Sequence, residues 1–301
     1  KGAPGIHHNM KNINSIKNFL LTAALALIIL VNPVEAKYGK NKVQYRGMDW
    51  SYIQTPHFDV YFYEGGESIA YFAADVAEKS YEQISYQLDW RLSKRISVLV
   101  YNSHNDFQQT NVTLGYLQEG IGGFTELFKN RVVLPFEGSY EQFRHVLHHE
   151  LTHAVVNDLI FGGNVQSIVS GKMRVNIPLW LSEGYAEYSS LDWDSRADMI
   201  IRDAAINGSL PPIQYLNYYM AYKGGQSVVR YIGETFGVER IGEILHETRH
   251  FKDVPKAIEN TLHLDLETLT EKWHFAVRKD YWPDIEGRSN LDDVGHRLTN
   301  H

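Results

Sequence analysis

An H-E-x-x-H pattern lies at residues 149–153, where the sequence reads His-Glu-Leu-Thr-His. On a helix, residues four apart lie on one face a single turn apart, so His149 and His153 can bind one metal ion. Glu150, between them, can reach a water molecule beside that ion. The pattern therefore predicts a metal-binding helix, and the alternative is a polar helix edge that faces solvent.

The residues around the pattern indicate a helix with both ends marked. Ser139 and Gln142 form a capping box at its start, and Gly162 and Gly163 favour its end. Apolar residues recur at helical spacing along one face: Phe143, Leu147, Leu151 and Ala154. Because the two histidines fall outside this apolar stripe, they can face a cleft while the stripe faces the core.

The overall composition limits the kinds of site that the chain can hold. With 301 residues, it is long enough for one large domain or two modest ones. It has no cysteine, which excludes disulfides, thiolate zinc sites and cysteine nucleophiles. The net charge is −7, and the folded part has no basic block, so we expect no nucleic-acid partner.

The N-terminal segment is typical of an export signal. After Met10 come a positively charged stretch, an apolar run from Phe19 to Val31, and Ala36 at the expected cleavage position. We predict a signal peptide at residues 10–36, preceded by a vector remnant or upstream artefact at residues 1–9. The protein is thus expected to be exported, periplasmic or secreted, with no stable membrane span after cleavage. An uncleaved N-terminal anchor is the alternative, although the apolar run is short for a span.

The remaining sequence predicts an α+β domain at residues 37–285. We expect a small mixed sheet with a flanking helix in residues 50–140, active-site helices in residues 139–190 and a helical lobe in residues 208–285. Residues 286–301 are polar and lack periodicity, so they are predicted to be a linker or a truncated tail.

Hydrophobic periodicity also places individual elements. Residues 102–120 are expected to be irregular. Strands are predicted at residues 57–63 and 96–101, and a hairpin or two short strands at 122–126 and 131–136. Helices are predicted at residues 67–88, 225–235, 238–250, 254–262 and 265–281. The histidines outside the pattern, His246 and His250 among them, are expected to be ordinary surface or packing residues.

Glu183 lies on a second predicted helix. Asn176 can cap this helix, and Pro178 suits its first turn. Two histidines leave a catalytic zinc site incomplete, and a carboxylate from a following helix is one standard third ligand. Glu187, one turn beyond Glu183, can accept a hydrogen bond from a ligating imidazole. The alternative for both glutamates is an exposed acidic face, although bulky apolar residues surround them in the sequence.

Taken together, the H-E-x-x-H pattern and Trp-Leu-Ser-Glu-Gly-Tyr-Ala-Glu-Tyr at residues 180–188 resemble the gluzincin zinc metallopeptidases. The nearest resemblance is to the peptidase MA-like domains of exported bacterial proteins, relatives of the aminopeptidase N clan. This resemblance implies a zincin-like fold, one Zn²⁺ bound by His149, His153 and Glu183, a peptide or protein substrate, and Glu150 as general base. It also implies that Tyr222, in Tyr-Lys-Gly-Gly at residues 222–225, stabilises the transition state. A C-terminal β-propeller in a longer chain would fit the same group.

The sequence departs from the aminopeptidases at two places. The loop at residues 161–176 is longer than theirs. Where their substrate strand carries a glutamate for the free amine, this chain has Thr125, within the predicted substrate strand Gly123, Phe124, Thr125 and Glu126. Glu126 comes one residue later, and a one-residue slip turns a side chain to the opposite face of a strand.

Three functions remain open at this point. The first is a zinc-dependent peptide-bond hydrolase of the bacterial cell envelope. The second is an aminopeptidase, which needs a carboxylate for the substrate amine. The third is a non-catalytic zinc-containing structural or recognition module of a larger envelope protein.

Overall fold

The computed structural model of the protein describes residues 47–113, 117, 120–127, 129–162, 175–284 and 286. All of them fall within one unit, Gln44–His301. The predicted signal peptide, most of the loop at residues 161–176 and nearly all of the tail at residues 286–301 therefore lie outside the described residues. Among the described helices, none combines the length and apolar character needed to cross a membrane.

A five-stranded mixed sheet forms the first layer, in the order β1-β2-β3-β5-β4. The central pairs, β2 with β3 and β3 with β5, are parallel, and β1 and β4 pair antiparallel at the two edges. The strands are β1 Ser51–Gln54, β2 Phe58–Phe62, β3 Ile96–Tyr101, β4 Phe124–Glu126 and β5 Arg131–Pro135. Aromatic and β-branched residues are frequent in them, since such side chains pack well on a pleated surface.

Nine α-helices accompany this sheet in the described part of the chain. They are α1 Glu67–Leu88, α2 His104–Gln108, α3 Tyr140–Phe161, α4 Leu179–Leu191, α5 Ser195–Ile206, α6 Tyr218–Phe236, α7 Glu239–Phe251, α8 Val254–Leu262 and α9 Leu266–Tyr281. Helix α1 connects the parallel strands β2 and β3, as a parallel pair requires. The α+β class with a zincin-like layout is thus confirmed.

The main core lies between the sheet, α1 and α3, and it continues into the helical lobe. Leu147 and Leu151 of α3 and Ile84 and Leu88 of α1 are fully buried within it. The apolar stripe predicted on α3 therefore faces the core. This packing fixes the orientation of α3, and with it the direction in which the H-E-x-x-H face points.

Several local predictions were wrong. Residues 102–120 include α2, which Ser103 caps by accepting a hydrogen bond from the Asp106 N–H, and α5 was not predicted at all. Pro178, and not Asn176, is the N-cap residue of α4. Helix α6 begins at Tyr218, seven residues before the predicted start at 225, because the pair Gly224-Gly225 does not interrupt it. In α9, Phe275 is 68% exposed although it is apolar.

Candidate metal centre

Helix α3 carries the H-E-x-x-H face in its middle, two or more turns from either end. The Ser139 hydroxyl accepts a hydrogen bond from the Gln142 N–H, and Gly162 ends the helix in the left-handed conformation, with φ of 65°. His149 and Glu150 are both only 8% exposed. The face that carries them borders a cleft of about 1040 Å³.

Helix α4 brings Glu183 to the two histidines. Glu183 Oε2 lies 3.2 Å from His149 Nε2 and 3.2 Å from His153 Nε2, and the two Nε2 atoms are 3.2 Å apart. Three zinc ligands at about 2.0–2.1 Å in a tetrahedral arrangement stand about 3.3 Å from one another. The triangle formed by His149 Nε2, His153 Nε2 and Glu183 Oε2 therefore has the size and the donor set of a zinc site. No other such group of three occurs among the described residues.

Charge is concentrated at this triangle. Burial opposes the charged form of His149, but the hydrogen bond to Glu183 and the negative charges of Glu187 and Glu150 outweigh it and raise the pKa of His149 to about 10. Burial also disfavours ionised Glu183, yet the hydrogen bonds from His149 and His153 hold its pKa at about 2. The carboxylate and the imidazoles thus converge on a position that favours a cation, either a proton or a metal ion.

Glu187 contacts the other nitrogen of His149. Its Oε1 lies 3.1 Å from His149 Nδ1, an ion-pair contact that is not a hydrogen bond. Its Oε2 accepts a hydrogen bond of 2.6 Å from Lys223 Nζ, which also donates to Asp194 Oδ2 at 2.9 Å. Burial alone would raise the pKa of Glu187, but these cationic neighbours lower it to about 2. The carboxylate therefore stays charged beside His149.

A close helix crossing brings α6 against α4. A Cβ added at Gly225 would lie 2.2 Å from the Trp180 carbonyl oxygen, and one at Gly184 would lie 2.5 Å from Gly225 Cα. Only glycine fits at such a backbone contact. The contact places Tyr222 and Lys223 of α6 opposite Glu183 and Glu187 of α4.

Tyr222 completes the wall of the site. Its ring stacks on that of His149, with centroids 6.3 Å apart and planes within 13°. Burial raises the pKa of Tyr222 to about 12, and the negative charges of Glu183 and Glu150 add to the effect. The phenol is therefore protonated at neutral pH and available as a hydrogen-bond donor.

The predicted substrate strand lies along the other side of the cleft, where Phe124–Glu126 form the edge strand β4 and Gly123 directly precedes it. Gly123, Phe124 and Thr125 line the cleft. Glu126 instead accepts a hydrogen bond of 3.1 Å from Arg131 Nε and forms an ion pair with that side chain. The Thr125 hydroxyl lies 2.7 Å from Glu150 Oε2, a contact that sequence reasoning did not foresee.

Two other histidines on α3 lie near the triangle. His145 Nε2 is 3.9 Å from Glu187 Oε1, and burial lowers the pKa of this imidazole. His148 Nε2 lies 3.0 Å from Ser189 Oγ, and burial lowers its pKa to about 4. Both rings are therefore neutral at pH 7 and contribute no charge to the cleft.

The sequence also contains a second H-E-x-x-H pattern, at residues 246–250, which the sequence analysis did not identify. It lies on α7, where His246 Nε2 donates a hydrogen bond of 2.8 Å to the Leu88 carbonyl oxygen. His250 is exposed, and Glu247 accepts a hydrogen bond of 3.2 Å from Asn260 Nδ2. This pattern has the spacing of a metal site but not its geometry, because no third ligand joins it among the described residues.

Comparison with known families gives one match. The family model described as the Peptidase MA superfamily matches residues 76–279, more than half of the chain. All the residues of the triangle, together with Glu150 and Tyr222, lie inside the matched range. No curated protein matches the chain.

Proposed function

Because the chain belongs to the peptidase MA superfamily, we propose that it is a zinc-dependent peptidase. The observation that carries this proposal is the triangle of His149, His153 and Glu183, with sides of 3.2 Å, beside Glu150 in an open cleft. Its donor set and dimensions fit zinc. A zinc ion bound there would act as a Lewis acid and lower the pKa of a water molecule towards about 7.

The side chains of this protein have separable roles in the proposed reaction. Glu150 takes a proton from the attacking water and later gives it to the nitrogen of the leaving amine. Tyr222 donates a hydrogen bond to the substrate carbonyl oxygen as negative charge develops on it. Glu187, held by Lys223, keeps the His149 ring in the orientation in which Nε2 faces the other two ligands.

The sheet edge supports an extended peptide as the substrate. Among the described strands, β4 pairs with β5 alone, and the cleft borders it. An extended peptide can add to such an edge through backbone hydrogen bonds. We therefore propose that the substrate is an unfolded or extended segment of a protein.

The aminopeptidase alternative has less support. A substrate amine needs a carboxylate, and the acidic side chains that line the described cleft are already engaged. Glu183 faces the histidines, Glu187 and Asp194 share Lys223, and Glu150 contacts Thr125. Glu126 lies outside the cleft with Arg131.

The two H-E-x-x-H patterns provide the test and its control. Zinc content and hydrolysis of a quenched protein substrate should be measured for the wild type, Glu150→Gln and Glu247→Gln. We expect one zinc in all three, and activity in the wild type and Glu247→Gln only. Full activity in Glu150→Gln would refute the mechanism. Zinc without turnover in the wild type would favour the structural or recognition module.

We also propose that the protein acts in the bacterial cell envelope after export. The support is the sequence of residues 10–36 alone. Mass spectrometry of the protein from a periplasmic or culture fraction should find a chain that begins near Lys37. Recovery of the intact N-terminus in the membrane fraction would indicate the anchor instead.

A further inference from the structure

Thr125 makes an unusual contact for a residue of an edge strand. It lies in the middle of β4, paired with Val132 of β5, and its side chain points at α3. Its Oγ1 is 2.7 Å from Glu150 Oε2 and 2.8 Å from the Glu150 carbonyl oxygen. The hydroxyl has one proton, and an ionised carboxylate is the stronger acceptor of the two.

The residue directly before β4 bounds the rest of the Glu150 side chain. This residue is Gly123, which lies two positions before Thr125. A Cβ at Gly123 would be 3.4 Å from Glu150 Cγ and 3.0 Å from Val146 Cγ1, so the strand lies directly against the stem of the glutamate. The stem is thus packed at Gly123, and the carboxylate is bonded at Thr125.

This contact matters because packing alone does not fix a carboxylate. The terminal torsion of a glutamate side chain is broad, so the two oxygens can rotate even when the stem is held. A general base must present one oxygen to the water within hydrogen-bond reach. Bonding one oxygen to a fixed donor determines the orientation of the other.

We propose that Thr125 is a positioning residue for Glu150, an inference that rests on the proposed function. By donating to Oε2, the hydroxyl leaves Oε1 to accept the proton of the attacking water. As the water oxygen bonds to the substrate carbonyl carbon, that proton moves to Oε1. It then moves to the amine nitrogen as the carbon–nitrogen bond breaks, so Glu150 returns to its ionised state.

The position of Thr125 also links the base to the substrate. The backbone of β4 borders the cleft along its open edge, while the Thr125 side chain holds the base on α3. A peptide bonded to this edge would therefore be placed relative to Glu150 by the same three-residue strand. Thr125 itself contacts no reacting atom.

The test compares Thr125→Val with Thr125→Ser. Valine keeps the branched shape and removes the donor, whereas serine keeps the donor and removes a methyl group. Since a displacement of about 1 Å costs about 100-fold, we expect Thr125→Val to lower kcat by about 10- to 100-fold. KM should change by less than about two-fold, and Thr125→Ser should retain at least about one-third of the wild-type kcat. Zinc content should be the same in all three proteins.

A matched control is Thr248→Val. Thr248 is a buried threonine on α7 whose hydroxyl donates to the Ile244 carbonyl oxygen at 2.7 Å, so its loss removes a similar bond outside the cleft. We expect wild-type kcat and KM for this variant. A loss of kcat in Thr248→Val equal to that in Thr125→Val would overturn the proposal, because the effect would then be one of general stability.

Crystal structures of the zinc-loaded Thr125 variants add a readout that does not depend on turnover. In Thr125→Val, the Glu150 carboxylate should rotate or occupy two orientations, and in Thr125→Ser it should keep the wild-type orientation. Unchanged kcat in Thr125→Val, equal impairment in Thr125→Ser, or an unmoved carboxylate in Thr125→Val would each overturn the inference. An inactive wild type would refute the proposed function, and the carboxylate orientation would still decide the role of Thr125.

Discussion

Substituting Gly225 by alanine should separate the two helices that build the site. The new Cβ would lie 2.2 Å from the Trp180 carbonyl oxygen and 2.9 Å from Gly184 Cα, well inside contact distance. Both atoms belong to the backbone, so no side-chain rotation relieves the clash. Helices α4 and α6 must therefore move apart by about 1 Å, since carbon atoms in contact stand about 3.5–4 Å apart.

Two opposing effects determine how much Gly225→Ala changes the free energy of unfolding. Overpacking of a tight interface costs about 1–3 kcal/mol, while alanine in a helix gains about 0.5–1 kcal/mol over glycine. We expect the free energy of unfolding to fall by about 1–2 kcal/mol, which corresponds to a Tm lower by about 2–8 °C for a domain of this size. Because Tyr222 and Lys223 move with α6, kcat should fall by up to about 100-fold.

Gly233→Ala is the matched control, since Gly233 lies on the same helix. A Cβ there would be 3.4 Å from the Tyr188 hydroxyl and 3.5 Å from Val238 Cγ1, which is ordinary contact. This variant should be as stable as the wild type or slightly more stable, with full activity. Calorimetry and the quenched-substrate assay measure both effects. Wild-type Tm and kcat in Gly225→Ala, or equal losses in both variants, would refute the reasoning from backbone contact.

Three further predictions concern ionisable side chains of the site. Glu183→Gln should bind zinc at least about 10-fold more weakly than the wild type in a competition titration, because it removes one of three ligands. Tyr222→Phe should keep one zinc per chain but lower kcat by about 100-fold, the cost of one oxyanion donor; an unchanged kcat would exclude that role. Glu187 and Asp194 have pKa values below their usual ones, so the folded state binds their protons less tightly than the unfolded chain does. The resulting stability is present above about pH 4 and is lost as the pH falls towards about 2. Lys223→Met should flatten this dependence in acid unfolding followed by circular dichroism.

Periodic elements were predicted well from the sequence. Helix α1, strand β3 and helix α8 have the predicted bounds, because each has a regular apolar pattern and clear residues at its ends. The start of α6 was predicted seven residues too late because the pair Gly224-Gly225 is typical of a break in a helix. Those glycines instead lie where two helices touch, a tertiary contact that local propensity cannot reveal.

The site was predicted from motifs, and its supporting contacts were not. The structure brings His149, His153 and Glu183 together, as the spacing and the resemblance implied. The engagement of Lys223 with Glu187 and of Thr125 with Glu150 links residues that are 36 and 25 positions apart. Neither pair has a sequence signature, since both depend on how α4, α6 and β4 pack around α3.

The face of α3 that would hold the proposed zinc ion lies in the middle of the helix, so a bound ion would stabilise the central turns of α3 and not its ends. Helix ends fray at little cost, but the central turns of a buried helix open only with a larger cooperative unit. A bound metal ion at 100 times its Kd would add about 2.7 kcal/mol to the stability of that unit. A chelator should therefore accelerate amide hydrogen exchange across the centre of α3 and along α4 together, while the exchange of the terminal turns stays the same.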